Sequence, residues 1–271
     1  MTPAGMASVT LGPSDYERAL AARGLDEVAV FHRRTTGSTN DDARQLVSTR
    51  LPFIESALAI VVAETQTSGR GRGSNTWSSP PGSIALTITL PGVNVSRLGV
   101  LPLGVGACVV AALRDLGAPA FVKWPNDVLI DGLKVCGILC ESSLLATTAR
   151  VFIGIGINAE AGGAGEGPDS RATTLASHGV AADRPALVAD ITHRVLDLVR
   201  SERRNPEIVA DWKQVAVPWW GEEVTCVEGE VERRFTLLDV NPEGQLVVRD
   251  GASVVRSLVS GEIRRLRAAG A

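Results

Sequence analysis

Residues able to handle anions are concentrated in a few short stretches of this 271-residue chain. Gly69-Arg70-Gly71-Arg72-Gly73 follows the strand-like run IVVAETQ. Its glycines let the main chain approach a ligand closely. Its two arginines carry permanent, planar charge suited to phosphate or carboxylate. The stretch has neither the lysine of a P-loop nor the spacing of a Rossmann turn, so alone it marks only an anion-binding loop. Arg-Gly stretches also serve as flexible nucleic-acid tails, although this one lies between two strand-like runs.

Lys123-Trp124-Pro125-Asn126-Asp127 is the second concentration. Pro125 and the Asn-Asp pair read as a turn, and the following VLIDGLKVCGILCES reads as a β-hairpin turning at Asp131-Gly132. Lys134 then opens the second strand, and alternation places it on the face of Cys136, Ile138 and Cys140. Most lysines at such an end are simply solvated, but the neighbouring motif argues for chemistry here. Gly154-Ile155-Gly156-Ile157-Asn158 reads as a strand with one face cleared of side chains, suited either to a bulge or to the close approach of a ligand. Thr36-Gly37-Ser38-Thr39-Asn40 sets hydroxyls and an amide at a helix start, with Ser38 or Thr39 as the cap and Asp41 and Asp42 in the positive first turn.

The elements that must position these groups form an α+β pattern. Apolar β-type runs at 57–64, 83–90 and 151–158 alternate with helical patterns such as 186–202. After Pro218 the texture changes to short β-like runs separated by turn signals, which predicts a small barrel or sandwich and a boundary near residue 217. Residues 162–171, GGAGEGPDSR, read as a solvated linker or a loop closing over a ligand. The net charge of -3 gives no electrostatic reason to expect DNA as a partner, and no apolar run is long enough to span a bilayer. Residues 1–25 are too short for a helix-turn-helix domain. Cys108, Cys136, Cys140 and Cys226 lack metal-ligand spacing and read as reduced, buried thiols. The cytosol is the expected compartment.

Taken together and in order, Ser38-Thr39-Asn40, Gly69 to Arg72, Lys123 to Asp127 with Lys134, and Gly154 to Asn158 resemble the hallmarks of the biotin protein ligase family. The resemblance implies a catalytic domain over residues 1–216, a mixed sheet with helices like that of class II synthetases and lipoate ligases. A small SH3-like β-barrel domain over 217–271 would follow. It implies an enzyme that makes biotinyl-5'-AMP from biotin and ATP, then transfers biotin to a lysine of the carboxyl carrier domain of acyl-CoA carboxylase. By position, Ser38, Thr39, Asn40 and Gln66 match residues that meet the ureido ring of biotin or its neighbours. Gly69, Arg70 and Gly71 match the loop that wraps biotin and its activated carboxylate, and Gly137, Gly154 and Gly156 line the biotin pocket. Lys134 matches the lysine that contacts both the biotin carboxylate and the α-phosphate. Arg70, Arg72 and Trp77 fall to the adenylate, and Lys123, Asn126, Asp127 and Asn158 to the nucleotide side. Lys134, Arg72 and Asp127 are the expected catalytic residues, Asp127 by orienting or deprotonating the attacking amine. Mg²⁺ is expected to arrive with ATP, held by phosphates and water.

Family members often continue the Gly-Arg loop with a further Gly-Arg, whereas Gly73-Ser74-Asn75-Thr76 stands before Trp77 here. The tail GEIRRLRAAG matches the end of the family's small domain, and the sequence leaves open which of Arg264, Arg265 or Arg267, if any, reaches the nucleotide. The expectation is a ligase without a DNA-binding domain, either a monomer or a weak homodimer. The rival readings are a lipoate or octanoate ligase or transferase on the same fold, and a non-catalytic anion- or nucleic-acid-binding module.

Overall fold

The computed structural model describes residues 11–49, 58–160, 172–228 and 231–265; the Gly-rich stretch 162–171 and Arg267 lie outside the described residues. In chain order the first part runs α1 (Pro13–Ala21), β1 (Ala29–Thr36), α2 (Thr39–Thr49), β2 (Ala59–Arg70), β3 (Thr76–Ser79), β4 (Ile84–Asn94) and α3 (Leu101–Asp115). It continues with β5 (Ala120–Lys123), β6 (Asp127–Ile130), β7 (Leu133–Leu145), β8 (Thr148–Ile157), α4 (Arg184–Arg200) and α5 (Asn205–Val215). The strands form one sheet in the order β1-β2-β4-β8-β7-β6-β5, with β3 paired to β2. Among the described strands β1 and β2 pair in parallel and the other pairs are antiparallel, so the sheet is mixed, as expected.

The near-continuous apolar runs explain why β2, β4 and β8 lie at the centre, where both faces of a strand are covered. Period-two alternation then sorts their residues. Ile60, Val62, Leu86, Ile88, Ile153 and Ile155 join the main core with α1, α3, α4 and α5. Val61 and Phe152 pack instead with Ala43 and Leu46 of α2, on the other face. Thr87, Gly154 and Gly156 share the parity of that second face, so the sheet itself assigns the candidate residues to the side of α2. α4 starts where Asp183 accepts a hydrogen bond from the Ala186 amide at 3.1 Å, with Pro185 in the first turn.

The second sheet is antiparallel and ordered β12-β11-β10-β9-β13, from β9 (Glu223–Glu228), β10 (Val231–Val240), β11 (Leu246–Arg249), β12 (Val255–Leu258) and β13 (Glu262–Arg265). It docks on the first part through polar as well as apolar contacts. The Trp124 indole N–H donates to the Gly244 carbonyl at 3.0 Å, and Lys213 pairs with Asp239 at 2.6 Å. All four cysteines are free; Cys136 and Cys226 are buried, while Cys108 and Cys140 are partly covered, with burial pushing both of these thiols up to about 12. No described helix is long and apolar enough to cross a membrane.

Candidate active site

The hairpin forms where the sequence places it. Asp131 and Gly132 both take positive φ, 50° and 77°, as a two-residue turn of this kind requires, and β6 pairs with β7 on either side of them. The parity of Lys134 does not follow the expectation. Leu129 lies opposite Lys134, but Val128 lies opposite Cys136, so Val135 is an extra residue in β7. This bulge reverses the alternation and turns Lys134 away from the face of Cys136, Ile138 and Cys140 onto that of Gly137. A Cβ on Gly137 would lie 3.3 Å from the Lys134 Nζ.

The bulge brings Lys134 to Asp127. Lys134 Nζ is 2.5 Å from one Asp127 oxygen, and Lys123 Nζ is 2.9 Å from the other. Burial raises the Asp127 carboxyl, but the two ammonium groups outweigh it and hold the group below the usual carboxylate range. Two ammonium groups share one carboxylate here, and with Arg72 nearby the positive groups outnumber Asp127 and the Glu262 carboxylate, which also feels Lys123. Burial holds the Arg72 guanidinium below its ordinary value, with Asp127 only partly offsetting it, and the group donates to the Gly261 carbonyl of the small domain at 3.2 Å. Asn126 and Asn158 hold backbone in place. The Asn126 amide N–H donates to the Ile138 carbonyl at 2.7 Å, and that of Asn158 to the Thr173 carbonyl at 3.0 Å.

The other end of the face is neutral and densely hydrogen-bonded. The Gln66 side-chain carbonyl accepts from the Thr39 N–H and hydroxyl at 2.9 and 3.2 Å, while its amide donates to Ser79 at 2.9 Å. The Thr87 hydroxyl lies 2.9 Å from that of Thr39 and 2.6 Å from the Asn40 side-chain oxygen. The Asn40 N–H then donates to Glu141 at 2.7 Å. α2 begins at Thr39, which leaves Ser38, itself buried, at the cap position with its carbonyl accepting from the Asp42 N–H.

The glycines are explained by what lies on them. β8 keeps regular register through Gly154 and Gly156, which removes the bulge as an explanation. A Cβ on Gly154 would lie 2.6 Å from the Asn40 oxygen, and one on Gly156 only 2.3 Å from the Trp77 indole. The Trp77 ring also covers Gly137 and sits 5.4 Å from Lys134 Nζ. Trp77, expected at the adenylate, therefore lies over the glycines expected to line the biotin pocket. Its indole N–H is buried without a partner among the described residues.

The Gly-Arg stretch is less loop-like than its composition suggests. Gly69 and Arg70 extend β2 and pair with Trp77 and Thr76 of β3, and a Cβ on Gly69 would collide with the Trp77 carbonyl at 2.4 Å. The divergent residues after Arg72 close a tight turn, in which the Gly71 N–H donates to the Asn75 carbonyl at 2.8 Å. Arg70 is held by Glu141 at 2.7 Å and Asp41 at 2.9 Å. Thr87 and Glu141 escaped the sequence reading because each stands in an ordinary strand, with its role set by partners far along the chain.

The Biotin/lipoate A/B protein ligase family model matches residues 34–158. The biotin–acetyl-CoA-carboxylase ligase of Mycobacterium tuberculosis is 28% identical over 254 residues, covering 90% of each chain. The bifunctional ligase/repressor BirA of Salmonella typhimurium is 30% identical over 233 residues, 82% of this chain and 71% of that one. Among solved structures, the biotin protein ligase of Aquifex aeolicus in complex with biotin and ATP superimposes with a TM-score of 0.68 at 26% identity. That match covers 88% of this chain and 99% of the other.

Proposed function

The chain belongs to the biotin protein ligase family, and from that premise we propose that it joins biotin to ATP as biotinyl-5'-AMP and transfers biotin to a lysine of the carboxyl carrier domain of acyl-CoA carboxylase. The observation that carries this reading is the Lys123-Asp127-Lys134 cluster at one end of a glycine-cleared strand whose other end is a neutral hydrogen-bonded floor. Attack of the biotin carboxylate on the α-phosphate forms the acyl–phosphate bond as the α–β phosphoanhydride bond breaks and pyrophosphate leaves, and it brings two anions together. Surplus ammonium charge, fixed before the reaction, offsets that repulsion and stabilises the charge that gathers on the phosphoryl oxygens. Lys134 is assigned the shared contact with carboxylate and phosphate, and Arg72 the retention of the adenylate. Asp127, shared with Lys123, sets the position of Lys134. In the second step the carrier amine, entering as the free base, attacks the mixed anhydride carbonyl, AMP leaves with the bonding electron pair, the proton shed by the nitrogen passes to solvent, and Asp127 orients the amine.

Ser38, Thr39, Asn40 and Gln66, with Gly154 beneath, are assigned to the ureido ring, whose N–H and C=O groups a neutral polar floor can read. Gly69, Arg70 and Gly71 wrap the acyl chain, and Asn126 and Asn158 carry the backbone on the nucleotide side. Trp77 rests where a ligand lying on Gly137 and Gly156 would go, so binding requires the ring to move. Among the described residues no three His, Cys, Asp or Glu side chains converge on a metal position, and Asp127 is engaged by two lysines. Mg²⁺ in this reading enters on the nucleotide, and no step is assigned to it. Residues 1–216 form the catalytic part and 217–271 the small β domain.

The test is incubation of the chain with ATP, biotin and a carboxylase carrier domain, followed by mass spectrometry of the carrier. One biotin on a single lysine is expected. An unmodified carrier, or equal transfer of lipoate supplied in parallel, overturns the proposal.

A further inference from the structure

Glu141 stands on β7 four residues after Gly137, on the same face, and the sequence reading gave it no role. Three side chains from two other elements converge on its carboxylate. Asn40 and Arg70 donate to Oε2, each at 2.7 Å, and Arg44 reaches Oε1 at 2.8 Å. Arg44 is itself pinned, with its guanidinium carbon 5.0 Å from the centre of the Phe152 ring. Burial raises the Glu141 carboxyl, but the bonds and charges of Arg44, Asn40 and Arg70 outweigh it and leave the group below the usual range.

The consequence lies in Asn40. A carboxamide has a donating end and an accepting end, and it can turn over unless both are fixed. Thr87 donates to the Asn40 oxygen at 2.6 Å, while Glu141, an acceptor only, takes the N–H at the other end. The same carboxylate ties Arg70, at the start of the Gly-Arg stretch, to the floor beneath it.

We propose that Glu141 is a positioning residue for recognition of the ligand's cyclic urea: it fixes the orientation of Asn40 and anchors Arg70, so that the neutral end of this face is rigid before the ligand arrives. This inference rests on the biotin ligase reading of the site. It deepens that reading by naming the residue that sets affinity for the ring without touching the reacting atoms.

The experiment measures biotin- and ATP-dependent pyrophosphate exchange by the full chain, each substrate varied at saturating amounts of the other. Glu141→Ala removes every bond, whereas Glu141→Gln keeps an acceptor for Asn40 but lacks the charge that holds the arginines. The expected result is a rise in biotin KM of about tenfold for Ala and about threefold for Gln, with ATP KM and kcat within about twofold of the parent. Equal rises for both substrates, or no rise, in a variant with the parent melting temperature overturn the proposal. Should the Ala variant not fold, the Gln variant decides: a selective rise in biotin KM supports the role, and an unchanged one overturns it. Absence of biotin-dependent exchange in the parent chain is a different result, and it rejects the ligase reading itself.

Discussion

The two ends of the glycine-cleared face differ in chemistry, although both sit on the same face of the same sheet. At the β6–β7 end, two lysines crowd one carboxylate and Arg72 stands nearby, an arrangement whose surplus positive charge finds its complement in the anions of ATP and of an activated carboxylate. At the β2–β4 end, Gln66, Thr39, Thr87 and Asn40 form a neutral hydrogen-bonded chain, and Glu141, the charge that touches it, is compensated by two arginines. A charged corner gains by being short of counter-charge until its substrate arrives. A neutral floor gains by having its donors and acceptors fixed in direction. Changes at the first end should therefore strike the rate of chemistry, and changes at the second should strike affinity for one substrate.

The largest expected effect follows from removing the lysine. Lys134→Ala should lower adenylate formation about a thousandfold while leaving the melting temperature near that of the parent, as measured by pyrophosphate exchange and thermal unfolding. Turnover close to normal would end the assignment of Lys134. Gly156→Val places branched carbons where the Trp77 ring now lies, so biotin affinity by calorimetry should fall about thirtyfold or more. An unchanged affinity would mean that the cleared strand is not the ligand's bed.

Arg72→Gly should release the adenylate about tenfold faster, a change seen as biotin-dependent labelling of bystander lysines. Labelling confined to the carrier would count against that role. Thr87→Val leaves the Asn40 oxygen without its donor; biotin KM should rise about fivefold and stability should drop by about 1–2 kcal/mol, with ATP KM unmoved. A parallel rise in ATP KM would erase the distinction between the two ends.

The smallest effect concerns acid. Asp127 and Glu141 are both held below their ordinary values in the folded protein. The folded state therefore takes up these protons less readily than the unfolded chain. The resulting stability is fully present above the ordinary carboxylate range and is lost as pH falls through the folded-state values. Asp127→Asn should flatten the acid side of the stability profile below about pH 4, measured by urea unfolding. An unchanged slope there would show that the ion cluster is not coupled to folding.

Much of this was legible in the sequence because it depends on local rules. The turn at Asp131-Gly132, a start of α2 at Ser38 or Thr39 and the β-rich texture after Pro218 follow from turn chemistry, capping and periodicity, while the mixed sheet followed from the family resemblance. The face of Lys134 was not legible, because a single extra residue, Val135, reverses the alternation and nothing in LKVCG announces it. Gly154 and Gly156 told of a cleared face, but the groups that use the clearance, Asn40 and Trp77, come from distant segments. In the sequence, Glu141 is a polar residue following the apolar run VCGILC, with nothing local to mark it. Its partners on α2 and at the end of β2 are brought to it only by the pairing of β7 with β8 and the seating of α2 on that face.

The most direct test leaves the carrier out. The chain is mixed with excess biotin and α-labelled ATP for a single turnover, and the protein-bound label is resolved by chromatography. The division of labour described above predicts close to one equivalent of biotinyl-5'-AMP per chain, retained on the protein with release of pyrophosphate, and none when lipoate replaces biotin. No adenylate from biotin, or as much from lipoate, would contradict it.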